Sequence, residues 1–523
     1  MTDRKNIIAG VALDRRTVLK GAAMAGAASL LVPASVRAAA EMPRKGGTLK
    51  LAMPYNPASI DPMTGRNLPD FNVLYALYDA LVDFDPDTLD LKPGLAKSWK
   101  FTTPKTLVLD LVDGVEFQDG TPFNPEAVKF NIDRYRTDKR SNVKADLNAV
   151  AKVEVTGKHQ VTLHLSRPNA GLPTILTNRV GLMVSPTFVK KHGSNIDRVA
   201  MGSGPFKFVE WKDNESFTVV KNDKYWKSSE PYLDGIQYSI INELNTGVRT
   251  VLTGETQLAL DMGVDQKLMA DRMKGFVTKT GPSLIFFGMF LNYGRPPLSD
   301  VRIRQAMNYA VDRKAFNDVI FHGLGQPSSA VMPKGFWACD PSTADYYSHD
   351  PEKARALLKA AGHSNGIAIP AWGWPDQASV QRQELLIGQL AKGGIHIQMT
   401  PTTPQQAMSS FMIEKRKALL ISPAGGYPDP SQFYEALFAK DALRNAGKVE
   451  LPGFRPLMDA TESALDHKKR QQAFYELQRF VIEQAMQVPQ VIAPRITIMS
   501  PKVRNFHNGL LLTPKFNEVW LAA

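Results

Sequence analysis

Two periodicities alternate along the chain. Apolar residues recur every second position over 106–111 and 160–165, which predicts half-buried strands. Another short strand is expected over 46–52. It leads into a turn-rich loop, 54–62, that carries Tyr55 and Asn56. Between the first two strands, Val128, Ile132 and Tyr135 fall at i, i+4 and i+7. Asn124 suits the N-cap of that helix, Pro125 its first turn and Glu126 its positive end. A second helix starts at Ser299 or Asp300 and turns Ile303, Met307 and Ala310 inward. A third runs over 350–362, with Ala354, Leu357, Leu358 and Ala361 inward and Gly362 as the cap. Residues 366–371, 380–392 and 395–400 predict strand, helix, strand, and a long helix covers about 468–486. Strands that alternate with helices along the whole chain indicate an α/β fold.

The first forty residues break this pattern. Arg15 and Arg16 precede Thr17-Val18-Leu19-Lys20, close to the consensus of a twin-arginine export signal. An uncharged, Ala/Gly-rich stretch follows over 21–36, then Arg37 and the small-residue site Ala38-Ala39-Ala40. The apolar stretch is shorter than the roughly 20 residues that span a bilayer, so no retained anchor is predicted. No cysteine stands at the cleavage site for lipid attachment. The mature chain is expected to begin near Glu41 and to work in the periplasm.

Composition narrows the function. The chain is 43% hydrophobic and 22% charged, as a folded globular protein should be, and its length calls for two or three domains. The net charge of +12 is spread out, with no run of five like charges, which argues against a nucleic-acid groove. Cys339 is the single cysteine, so no internal disulfide forms. The nine histidines form no HExxH spacing, and neither GxSxG, a phosphate loop nor GxGxxG occurs. No metal, cofactor or catalytic residue is therefore predicted. A periplasmic hydrolase with a site built from distant residues, or a chaperone-like protein, is the competing class.

Several distinctive blocks follow one another along the chain. They are Pro93-Gly94-Leu95-Ala96-Lys97-Ser98-Trp99, the segment 113–122 (DGVEFQDGTP), Gly202-Ser203-Gly204-Pro205-Phe206 and Lys221-Asn222-Asp223-Lys224-Tyr225-Trp226. The segment 300–313 (DVRIRQAMNYAVDR) and Pro428-Asp429-Pro430 with Phe433 complete the set. In this order the blocks resemble one family, the extracytoplasmic solute-binding proteins of peptide/nickel-type ABC importers. Most of these residues have architectural readings. Gly202 and Gly204 are expected to hold backbone angles that other residues resist. Trp99, Trp211 and Trp226 are expected in the core, and Arg302, Arg304 and Asp312 in an ion-pair network.

The resemblance implies a type II periplasmic-binding fold, a Venus flytrap of two lobes with an extra inserted domain. It divides the chain into a first lobe from 41–78, 202–283 and 496–523, an inserted domain over 79–201, and a second lobe over 284–495. It also implies a monomer that captures a small solute in the interlobe cleft and hands it to the ABC permease. Ligand contacts are expected from Tyr55 and Asn56, from Trp372 and Trp374 in the loop 371–376, and from Gly425, Gly426 and Tyr427 in the loop 423–430. Peptide-binding members place an Asp directly before the aromatic of that last loop. Here the position is Gly426, which offers backbone and space and suits a bulkier ligand or one without a free amine. Asp376 could replace the missing acid, and Asp429 between two prolines should shape the turn. The solute is thus a peptide or peptide-like molecule, a glycoside, an opine or a metal chelate. Changing Arg15 and Arg16 together to Lys should leave precursor in the cytoplasm. Normal maturation of that variant in a fractionation experiment would overturn the export assignment.

Overall fold

The computed structural model describes residues 41–65, 68–193, 195–442 and 444–523; the signal expected over 1–40 lies outside them. Local sequence sets the helix starts. Asn124 accepts from the Ala127 N–H at 2.9 Å and opens Pro125–Thr137. Asp300 opens Val301–Ala310, and Asp350 opens Pro351–Ala360, each through a side-chain cap. The expected strand, helix, strand unit is Ile367–Gly373, Gln377–Lys392 and Ile395–Pro401. Its first strand runs two residues further than expected and takes in Trp372, which therefore stands in a strand and not in a loop.

These elements join an eleven-stranded sheet among the described residues. From one edge the order is Ile395–Pro401, Ile367–Gly373, Leu419–Ala424, Val277–Leu291, Gln487–Met499, Leu258–Ala259, Thr48–Met53, Gly235–Ile240, Ser216–Lys221 and Phe206–Lys212. Gln326–Pro327 pairs separately with Gln487–Met499. Two long strands occupy the middle. Val277–Leu291 and Gln487–Met499 run antiparallel from one half of the sheet to the other, and their register breaks between Pro282 and Phe286. A smaller antiparallel sheet of Ala96–Thr103, Thr106–Leu111, Gln160–Leu165 and Val150–Gly157 lies under Pro125–Thr137 and encloses its own core, with Leu109, Ile132 and Leu163 fully buried.

Three expectations need correction. Gly202 and Gly204 are not at positive φ. They are required by close approach: a Cβ at Gly204 would fall 2.4 Å from the Leu77 carbonyl carbon, and one at Gly202 2.3 Å from its oxygen. Nor do Arg302, Arg304 and Asp312 form one ion-pair network. Arg302 pairs with Asp300, whereas Arg304 is buried and donates to the carbonyls of Leu298, Ser299 and Gln484. Asp312 caps Arg313–Phe321. The tryptophans divide as well. Trp211 is buried and Trp99 half-buried, while Trp226, also half-buried, donates its indole N–H to Asp79 at 2.9 Å. Cys339 is 2% exposed, and burial pushes its thiol up to about 11.

Asp429 shapes its turn, as expected, and does more. It caps Pro430–Phe438 and meets Arg470 in a two-pronged pair, both contacts at 2.8 Å and both groups buried. Burial alone would raise the Asp429 carboxyl; the Arg470 charge overrides this and holds it below the usual range. Gly171 abuts the pair so closely that a Cβ would stand 2.5 Å from Asp429 Oδ1. Removing one partner of such a pair strands a buried charge. Arg470→Gln should therefore lower stability in urea unfolding by about 3–5 kcal/mol, and adding Asp429→Asn should restore part of it. A loss under about 1 kcal/mol would show that the pair is relaxed by solvent.

Candidate functional site

A cleft of about 1980 Å³ opens beside the register break of the central strands. One wall carries Tyr55, Asn56, Phe71, Asn142 and Arg179, the other Ser422, Tyr427, Glu435, Arg455 and Glu462. Its floor holds Asp261, Ser283, Phe287 and the stretch Ala493 to Ile496. The volume is well above the roughly 300–1,000 Å³ of ordinary small-molecule pockets. The structure brings Tyr55, Asn56, Trp374, Gly425, Gly426 and Tyr427 to this cleft. Trp372 is not among its lining residues; it lies under Lys417, whose Nζ sits 4.9 Å from the ring centre.

These residues are not equivalent. Tyr55 is exposed, and its hydroxyl is raised by partial desolvation, then by Asp261 and Asp376. Asn56 uses its polar atoms locally: Oδ1 accepts from Trp211 Nε1 and the Asn214 N–H, and Nδ2 donates to Asp213. It shapes the wall through the turn it fastens. Trp374 is half-buried, with its indole N–H buried and unpaired. Gly426 presents backbone to the cleft, but a Cβ there would fall 2.0 Å from Leu284 Cβ. The expectation of spare room at this glycine is corrected: Leu284 fills the place of the missing side chain. Asp376 caps Gln377–Lys392 by accepting from the Ser379 N–H.

Sequence reasoning missed the charged lining. Arg455 binds Glu435 at 3.1 Å and Glu450 at 2.7 Å, and Arg167 binds Glu462. Arg179 donates to the Gly65 carbonyl and lies 4.5 Å from the Phe71 ring centre. Scattered over the helices Pro430–Phe438 and Phe454–Ser463, the short turn Arg179–Gly181 and loops, these residues had no shared period to reveal them. Arg495 did carry a signal, as a lone cation within the apolar strand Gln487–Met499. Among the described residues no cluster of three or more His, Cys, Asp or Glu could hold a metal ion, and no helix is long and apolar enough to cross a membrane.

Contacts also bridge the cleft. Gln432 Nε2 donates to Asp146 at 2.8 Å, and the Ala170 N–H donates to the Glu462 carbonyl at 2.8 Å. Burial pushes the Asp146 carboxyl up to about 6, against the opposing pull of Gln432 and Arg179. Once the cleft opens and water reaches it, the group should return to about 4. The raised value belongs to the bridged form, so bridging is strongest below about pH 4 and weakens as pH rises to about 6, by about 3 kcal/mol. Glu462 is also raised by burial and shifts the same way. Scattering from the free protein should thus give a smaller radius of gyration at about pH 4 than at about pH 7. Asp146→Asn should leave only the weaker Glu462 part of that difference. An unchanged radius in the native protein would remove this role.

The geometry agrees with what the chain resembles. The profile of bacterial extracellular solute-binding proteins, family 5 Middle, matches residues 90–445. The glutathione-binding protein GsiB of Shigella flexneri serotype 5b is 30% identical over 354 residues, covering 67% of this chain and 68% of that one. Two solved structures share the fold. The binding protein AgaA of A. tumefaciens R10, in complex with agropinic acid, superposes with a TM-score of 0.80 at 23% identity, covering 91% of this chain and 99% of that one. DppA of Helicobacter pylori, with the peptide STSA, gives 0.80 at 21% identity over 92% and 99%. None of these supports the hydrolase or chaperone reading. The chain belongs to the bacterial extracellular solute-binding proteins of family 5, two-lobed α/β receptors that capture a small solute for an ABC importer.

Proposed function

We propose that this receptor binds a peptide-like solute of about tripeptide size, of the glutathione or opine kind, and releases it unchanged to its permease. The observation that carries the reading is the cleft itself. It is too large for a single amino acid, and it is walled by aromatic side chains, Tyr55, Phe71, Phe287, Trp374 and Tyr427. Several of its charges already pair with one another, Arg167 with Glu462 and Arg455 with Glu435 and Glu450. The glutathione specificity named for the GsiB relative favours the same class. In this reading the lobes are 41–78 with 202–283 and 496–523, and 284–495, while 79–201 is an inserted domain. The two central strands are the crossing segments about which the lobes close. The precursor reaches the periplasm by the twin-arginine route, and the mature protein works as a monomer.

Thermal unfolding should be measured with glutathione, oxidised glutathione, Met-Leu and agropinic acid, each followed by recovery of the solute. Glutathione or an opine at about 100 times its Kd should add about 2.7 kcal/mol and be recovered intact. A response to Met-Leu alone would restore the ordinary peptide reading, and a consumed solute would restore the hydrolase.

A further inference from the structure

The floor of the cleft holds a half-satisfied pair of opposite charges. Arg495 lies on the central strand Gln487–Met499, opposite Gly281, and its side chain is 1% exposed. Its Nη1 is fixed, donating to the carbonyls of Asn508 and Leu511. Its Nε and Nη2 are buried and without a partner. Asp261 mirrors this state. Oδ2 accepts weakly from Asn72 at 3.4 Å, and Oδ1 is buried and unpaired. The two free groups face each other at 3.7 Å, too far for a hydrogen bond. The backbone keeps them there: the Met262 N–H donates to the Ile496 carbonyl at 3.0 Å, and Asp261 itself sits at φ 54.

This is an unusual way to leave a guanidinium. A buried cation without its hydrogen bonds is costly, and an ordinary ion pair with Asp261 would need only a small approach. The two unpaired nitrogens, Nε and Nη2, form the side-on edge of the fork, which matches both oxygens of a carboxylate. Beside it, Asp261 Oδ1 is an acceptor for a cation. A solute that satisfies both must carry its own opposite charges a few ångströms apart. We propose that Arg495 and Asp261 together bind an amino-acid head group, with the carboxylate on the Nε–Nη2 edge and the ammonium on the same carbon donating to Asp261 Oδ1. The γ-glutamyl end of glutathione and the amino-acid end of an amine-bearing opine such as octopine both have this head group. A dipeptide does not, because its ammonium and carboxylate stand at opposite ends. The head group enters while the lobes are apart, and closure buries it against the crossing strand. The proposal rests on the peptide-like reading above and supplies it with an acid outside the 423–430 loop.

The test uses the mature protein and calorimetry with three probes: glutathione, glutathione amidated at the γ-glutamyl α-carboxyl, and glutathione acetylated at the amine. Each modification should weaken binding about 10–100-fold. Arg495→Lys keeps the charge and loses the fork. It should bind glutathione about as weakly as the native protein binds the amide, and amidation should cost it little more. Asp261→Asn should likewise become insensitive to acetylation. Because the probes are also read on the native protein, a variant that fails to fold leaves the question open to decision. Equal binding of all three probes, or full affinity in Arg495→Lys, overturns the proposal. If glutathione does not bind at all, the glutathione reading fails by itself. The same comparison then moves to octopine, which carries an amine and a carboxylate on one carbon, against Met-Leu and agropinic acid, a lactam that has the carboxylate without the ammonium. Binding confined to Met-Leu, or to a solute lacking the paired charges, overturns the head-group site as well.

Discussion

The antiparallel pairing of Val277–Leu291 with Gln487–Met499 is the constraint on which the other features depend. Both strands are longer than the five or six residues usual for a strand. Their length lets one sheet serve two halves of the molecule. At the register break by Pro282 the ladder loosens, and the cleft opens there with its floor made from the same two strands. Loops projecting from both halves then face each other without needing close local packing of their own. The site is a property of the junction, and any change in the pairing would move both walls at once.

Much of the architecture was legible because it is written locally. Asn124, Asp300 and Asp350 are caps whose chemistry acts within three residues, and the alternating stretches 106–111 and 160–165 became strands with those limits. The central strands were not legible. Pro489 and Pro494 interrupt one and Pro282 the other, and proline within a run normally argues against a strand. Tertiary pairing overrode that signal, with Pro282 set opposite Pro494. The glycines misled for a related reason. Gly204 reads in sequence as a position of special backbone angles and Gly426 as spare room, yet each is small because another segment lies against it, the Leu77 backbone in one case and Leu284 in the other.

The candidate site was half legible. The loop of Trp374 stood out by its aromatic content, that of Tyr55 by its turn residues and that of Tyr427 by the family resemblance, and all three residues line the cleft. The charged lining did not stand out, because Arg455 and Arg167 find their partners only after folding. Trp372 shows the opposite error. Proximity in sequence to Trp374 suggested a shared task, but Trp372 is held within the strand Ile367–Gly373 under Lys417, while Trp374 lies just past the strand's end and reaches the cleft.

Burial of Cys339 has a chemical consequence. Attack on a disulfide requires a thiolate, and a sulfur held at about 11 and shut away from solvent supplies almost none at neutral pH. A receptor that handles a thiol-bearing solute in an oxidising compartment faces the hazard of trapping it as a mixed disulfide. Here the one sulfhydryl is chemically silent, so a cargo of the proposed glutathione kind would come and go without leaving a covalent adduct.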